Sequence, residues 1–177
     1  MKLYYLNIEL LSKYKPKLDD EVILISVQRI SRVGEPQGNI NIFTSWEHGE
    51  EGVIRSFYNM FSRASKWDFV PVCNGTYFYE RLLNFKLKKY NLPAISFDLS
   101  IDFRPIFVMM NRGLFAGSGL SDFVNLEKGL IYKWYTEKRY DKIIDYVENK
   151  TNSFLSIYQD VIKILGEYGV NKKRKKV

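Results

Sequence analysis

The residues with the richest chemical content lie between Asn74 and Tyr90. An Asn-Gly turn runs into Thr76, Tyr77, Phe78 and Tyr79 and then into a helical pattern that carries Lys86, Lys88 and Lys89. Aromatic rings such as Tyr77, Phe78 and, further on, Phe115 can stack on bases while lysine side chains follow a phosphate backbone. These are parts for contacting single-stranded nucleic acid. The plain alternatives are that the lysines form a solvated helix face and that Tyr79 is core packing. Among the carboxylates, Glu9 closes the first strand and is either a ligand or a solvated group. Asp98 and Asp102 read as caps or braces of the segment between helices. A lone cysteine, Cys73, and a lone histidine, His48, exclude an internal disulfide framework and a Cys/His zinc site within one chain. His48 reads as a surface loop residue.

These groups must be positioned by one domain. A chain of 177 residues, 46% hydrophobic and 16% aromatic, can bury a sizeable core. No repeat or long linker divides it, so residues 1–168 are expected to form a single domain and 169–177 a disordered basic tail. The formal charge of +7 favours a polyanionic partner, but Lys172 to Lys176 supplies five of those charges and leaves only +2 without them. That tail is either an arm for nucleic acid or a solubilising end. No apolar run approaches the roughly 18 residues of a membrane span. The N-terminus turns polar too soon for a signal peptide, and a cytoplasmic protein without membrane contact is expected.

Period-two and β-branched patterns predict strands over Lys2–Ile8, Glu21–Ile30 and Asn39–Thr44, the second too apolar for a surface strand. Gly34, Pro36 and Gly38 mark the turn between the last two, giving an antiparallel meander. A helix follows over Glu50–Arg63 with its acids at the positive end, then a buried strand over Phe69–Cys73. A second helix over Thr76–Tyr90 turns Phe78, Leu82, Leu83 and Phe85 inward and ends before Pro93. Ala94–Phe97 reads as a further strand, and helices dominate from there to Tyr168. The order describes an α/β domain with a mixed sheet of about five strands flanked by helices.

Asn74, Gly75, Phe78 and Tyr79 resemble the second motif of the proofreading-type 3′–5′ exonucleases, Asn-Gly-x-x-Phe-Asp, with Tyr79 at the aspartate. Leu6-Asn7-Ile8-Glu9 is similar to the first motif, Phe-Asp-Ile-Glu. Trp134, Ile143, Ile144, Tyr146 and Glu148 resemble the third, Trp…Ile-x-x-Tyr-x-Glu-x-Asp, with Lys150 at its aspartate. Asp98 through Pro105 and Gly113 to Gly119 look like a segment and loop of the exonuclease domain of family B DNA polymerases. The resemblance covers most of the chain and implies the ribonuclease H-like fold.

It also implies that the four acids of a two-metal site fall on Asn7, Glu9, Tyr79 and Lys150, with Glu9 alone retained. Phosphodiester hydrolysis of this kind needs carboxylates that hold two cations about 4 Å apart. An amide coordinates weakly, a phenol hardly at all at neutral pH, and an ammonium repels the metal. A shifted register, with Glu80 for Tyr79 and Glu148 or Asp145 for Lys150, requires about 100° of rotation per residue at two helices. The expectation is instead that the Lys150 ammonium pairs with Glu9, near Asn7 and Tyr79, because a buried amine requires such a partner. Tyr146 matches a water-orienting tyrosine of some family members or is a packed helix residue.

Three functional classes follow. The first is an inactive exonuclease-like module that binds single-stranded ends or a protein partner of replication or repair, with no cofactor expected. The second is an active metal-dependent 3′–5′ exonuclease with a non-standard site using Glu9 and Mg²⁺ or Mn²⁺. The third is a structural or regulatory interaction protein, which would show no salt-dependent nucleic-acid binding.

Overall fold

A computed structural model of the chain describes residues 1–13, 15–64, 68–117, 119–120 and 129–174, the last eight as backbone only. Strand β1 (Leu3–Leu10) is central and almost wholly buried. It pairs antiparallel with β2 (Val22–Ile30), which pairs antiparallel with β3 (Asn41–Thr44). On its other edge it pairs in parallel with β4 (Val70–Cys73), which pairs in parallel with β5 (Ile101–Asp102). The sheet order is therefore β3-β2-β1-β4-β5, a mixed sheet that opens with the expected meander. Helices α1 (Ser45–Ser62), α2 (Thr76–Lys89), α3 (Arg104–Met110), α4 (Leu130–Thr136) and α5 (Tyr140–Arg174) flank it.

Side chains alternate across β1, so its even and odd residues meet different helices. Leu6 and Ile8 pack with Val53, Ile54 and Phe57 of α1 and with Leu82, Leu83 and Leu87 of α2. Leu3 and Tyr5 pack with Phe103 and Phe107 of α3 and Phe154, Leu155 and Tyr158 of α5. The Tyr5 ring stacks on Phe154 at 4.1 Å between centroids. The same alternation sends Asn7 and Glu9 toward α5. A bulge between Glu9 and Leu10 then interrupts the pairing with β2, where Glu9 faces Leu24 and Leu10 faces Val22.

Two expectations are corrected. Ala94–Phe97 is not a strand, because its backbone is engaged by α2 side chains instead of a sheet partner. Asn84 bonds both the N–H and the carbonyl of Ile95 at 2.8 Å, and the Phe97 N–H donates to Glu80 at 3.2 Å. The fifth strand is Ile101–Asp102, one turn later. A short helical turn from Ser45 precedes Gly49, whose φ of 68° and ψ of 168° interrupt it, and the long part of the helix then runs from Glu50 as expected. On α2, Phe85 faces out and Lys86 faces in. The phase set by Leu82, Leu83 and Leu87 puts position 86, and not 85, on the buried face.

The α5 backbone continues to Arg174, into the segment 169–177 read as a disordered tail; a basic sequence suits the negative end of a helix. Residues 175–177 lie outside the described residues. Among the described residues no helix is long and apolar enough to cross a membrane.

The turn after β2 also locks α5 in place. Gly34 has φ of 88°, and a Cβ added there would lie 2.6 Å from Tyr158 Cδ1 and 2.9 Å from Gln159 Cγ. Gln159 donates to the Gly34 carbonyl at 3.0 Å. Gly34→Ala combines left-handed strain with overpacking, and a loss of about 3 kcal/mol is expected. Urea unfolding should show it as a lower midpoint with an unchanged slope.

Candidate functional site

Strands β1, β4 and β5 run parallel, so their C-terminal ends share one edge of the sheet. Glu9 stands at the end of β1, the turn into α2 follows β4, and Asp102 ends β5. Asp102 accepts the N–H groups of Gly75 at 2.8 Å and Thr76 at 3.0 Å, and also that of Arg104 at 2.8 Å. It braces the α2 N-terminus, where Gly75 has φ of 104°. The Arg104 guanidinium in turn donates to the Phe115 carbonyl at 3.3 Å, which brings the loop after α3 back to this edge.

The centre of the site is an ion pair. Lys150 Nζ lies 2.6 Å from Glu9 Oε1, with only 15% and 10% of the two side chains exposed. The Asn7 amide donates to the same Oε1 at 2.9 Å. Lys150 Nζ also sits 6.0 Å from the centre of the Tyr146 ring, which is within reach of a cation–π attraction. Asn7 is buried, and its Oδ1 has no hydrogen-bond partner among the described residues.

From the opposite face of the sheet, Tyr79 reaches the strand end, its hydroxyl accepting the Ile8 N–H at 3.5 Å. Burial first, and the Glu9 carboxylate second, push the Tyr79 phenol far above its ordinary range. Burial and then Glu9 do the same to Tyr146. Tyr5 is raised by burial, then by Tyr79 and Glu9. All of these phenols are neutral donors or acceptors at physiological pH. Cys73 is no nucleophile, since burial pushes its thiol up to about 12 against the effect of the Thr76 hydroxyl.

The structure thus brings Asn7, Glu9, Tyr79, Tyr146 and Lys150 together. One carboxylate, one amide, two phenols and an ammonium do not fit a pair of divalent cations, which need several anionic oxygens. Among the described residues, no group of three His, Cys, Asp or Glu side chains comes together. The carboxylates of the shifted register are elsewhere: Glu80 is held by the Phe97 N–H, while Asp145 and Glu148 are exposed on α5.

Of the residues expected to meet nucleic acid, Tyr77 and Phe115 are 73% and 71% exposed. Lys88 is exposed as well. Two others are corrected. Phe78 is partly buried and packs against the α1–α2 core, so it is not presented outward as Tyr77 is. Lys86 is 1% exposed and bonds Glu50 at 2.6 Å and the Asp19 carbonyl at 3.3 Å, so it cannot reach a phosphate. Lys89, half exposed, is also tied to Glu50, at 2.7 Å. Burial alone would raise the Glu50 carboxyl, but hydrogen bonds from Lys86, Lys89, Tyr90 and the Val22 N–H hold it down at about 2. Sequence reasoning missed this cluster. Its signal was a lysine within the Leu82, Leu83, Leu87 phase, which demands a buried acid.

No family model and no curated protein sequence matches the chain. Among solved structures it is similar to the family B DNA polymerase of the hyperthermophilic archaeon Pyrobaculum calidifontis, with 14% identity and a TM-score of 0.66 over 91% of this chain and 24% of that one. It is similar also to a moderately thermophilic exonuclease I from Methylocaldum szegediense, with 11% identity and a TM-score of 0.50 over 61% of this chain and 29% of that one. The chain spans less than a third of either neighbour's length. The sheet order, the helices on both faces and the polymerase likeness lead to one conclusion: the chain has the ribonuclease H-like fold of the 3′–5′ exonucleases.

Proposed function

We propose that this chain is an exonuclease-like module that does not hydrolyse phosphodiesters and binds single-stranded nucleic acid, free ends above all, in the cytoplasm. The observation that carries this reading is the Lys150 ammonium on the one retained carboxylate, 2.6 Å from Glu9 Oε1. A cation fixed there repels a divalent metal and neutralises its only strong ligand. What stays is a cleft edge with exposed rings, Tyr77 and Phe115, and with Arg104 and Lys88 near them in the chain. Rings for bases and cations for phosphates are the elements of sequence-tolerant single-strand binding. Structural neighbours that are a DNA polymerase and an exonuclease support the reading at the level of the fold.

The test is a Mn²⁺ and Mg²⁺ titration by calorimetry, followed by incubation with end-labelled single-stranded DNA and RNA. The expected outcome is no saturable metal uptake and an intact, bound oligonucleotide whose affinity falls with salt. Stepwise shortening from the 3′ end, abolished by Glu9→Ala, would make the chain an active exonuclease instead. A second reading, docking of a protein partner of replication or repair, is favoured by one observation. Met109, Met110 and Leu114 are 76%, 51% and 63% exposed in one short stretch, an apolar surface of the kind that marks protein contacts. Intact oligonucleotide with no salt-dependent binding would favour it.

A further inference from the structure

The outer face of α2 holds a groove of about 360 Å³ lined by Leu18, Tyr77, Glu80, Arg81, Asn84 and Phe85. We propose that this groove is a second nucleotide subsite, which takes unpaired bases of a single strand between Tyr77 and Phe85 and their phosphates on Arg81 and Lys88. The proposal rests on the reading of the chain as a single-strand binder and extends it beyond the cleft edge.

Tyr77, Arg81, Phe85 and Lys88 follow one another at four-, four- and three-residue steps, the spacing of a single stripe on a helix. Ring, cation, ring, cation is the order that base and phosphate groups of an extended strand would meet. All of these residues are exposed, Tyr77 at 73% and Phe85 at 45%. Rings eight residues apart are separated by about 12 Å along the helix. That distance admits about two bases at the 3.4 Å spacing of stacked nucleotides.

The Arg81 guanidinium lies 5.3 Å from the centre of the Tyr77 ring, which holds both at the surface. The other polar groups of the groove are already engaged. Asn84 has its amide on the Ile95 backbone, and Glu80 accepts the Phe97 N–H. The Glu80 carboxylate keeps its charge but is turned to the Phe97 N–H, and the stripe itself carries the two cations Arg81 and Lys88 for a phosphate backbone. Phe85 turns outward on a helix whose inward phase is filled by leucine and by Lys86, and its ring lies 5.9 Å from Lys86 Nζ.

The experiment is fluorescence anisotropy with labelled single-stranded oligonucleotides of about 5 and about 15 nucleotides, below and near the site size of a small binding domain. Tyr77→Ala and Phe85→Ala are each expected to weaken the longer oligonucleotide about tenfold or more, while Tyr77→Phe and Phe85→Tyr bind as the parent does. Arg81→Ala should lower the slope of affinity against salt by about 1, and Arg81→Lys should keep it. Because these positions are exposed, unchanged thermal melting curves will show that the variants are folded. If the parent binds and Phe85→Ala binds equally well, the groove is not a subsite, although the single-strand reading, which uses Tyr77 and Phe115 and not Phe85, stands. If the parent binds neither oligonucleotide, the single-strand reading falls and the groove with it.

Discussion

Replacing Lys150 by aspartate, together with Asn7→Asp and Tyr79→Asp, is expected to create a protein that takes up Mn²⁺ saturably and is stabilised by it, where the parent does neither. The expectation follows from charge. In the parent, Glu9 Oε1 is shared between the Lys150 ammonium and the Asn7 amide. The triple variant exchanges an ammonium, an amide and a phenol for carboxylates on the same three elements. Several acids packed at one strand end repel each other, and without metal the variant should be less stable than the parent by several kcal/mol. A divalent cation relieves that repulsion. At a concentration one hundred times its dissociation constant, it would restore about 2.7 kcal/mol. Thermal melting in EDTA and in Mn²⁺, with calorimetry for uptake, separates the outcomes. A parent that melts higher in Mn²⁺, or a folded triple variant that binds none, would show that Lys150 does not stand in the place of a metal.

The second large effect is expected at Glu50. Its carboxylate takes the ammonium of fully buried Lys86 at 2.6 Å, that of Lys89 at 2.7 Å and the Val22 N–H at 2.8 Å. Glu50→Gln leaves the Lys86 charge buried without its counter-charge, which costs about 3–5 kcal/mol. For a chain of this size that is roughly 10 °C or more in melting temperature. Glu50→Leu combined with Lys86→Met removes both charges and should recover most of the loss, because an apolar pair of similar volume tolerates the same site. If the single variant melts like the parent, the pair is not a determinant of stability.

The pH dependence has a defined sign. Glu50 is held at about 2 against an ordinary 4.5, so its contribution is complete above about 4.5 and is lost as pH falls toward 2. Its magnitude is about 3 kcal/mol. Acid unfolding of Glu50→Gln should lack that part of the decline.

Much of this architecture was legible because particular residues obey simple periods. The β-branched run Val22 to Val27 declared a central strand, and the turn residues Gly34, Pro36 and Gly38 declared the meander that follows it. The Glu9–Lys150 contact was legible because a base stood where the motif has an acid, opposite an acid that was kept. Local hydrophobicity failed where tertiary partners decided. Phe85 looked like a core residue and Lys86 like a surface one, yet the helix phase exchanged them and Glu50 made the exchange tolerable. Ala94–Phe97 had the composition of a strand, but Asn84 and Glu80 took its backbone groups first.

The link between Glu9 and Lys150 joins residues 141 positions apart, and this separation has a consequence for the protein's birth. Ribosomes add about 5–20 residues per second, so the first strand waits roughly 7 to 28 s after it is made before its counter-ion exists. Throughout that interval Glu9 has only the Asn7 amide beside it on its strand, and its counter-ion arrives with the last long helix. Only a chain translated past residue 150 can therefore pair Glu9 and seat its final helix on the first strand.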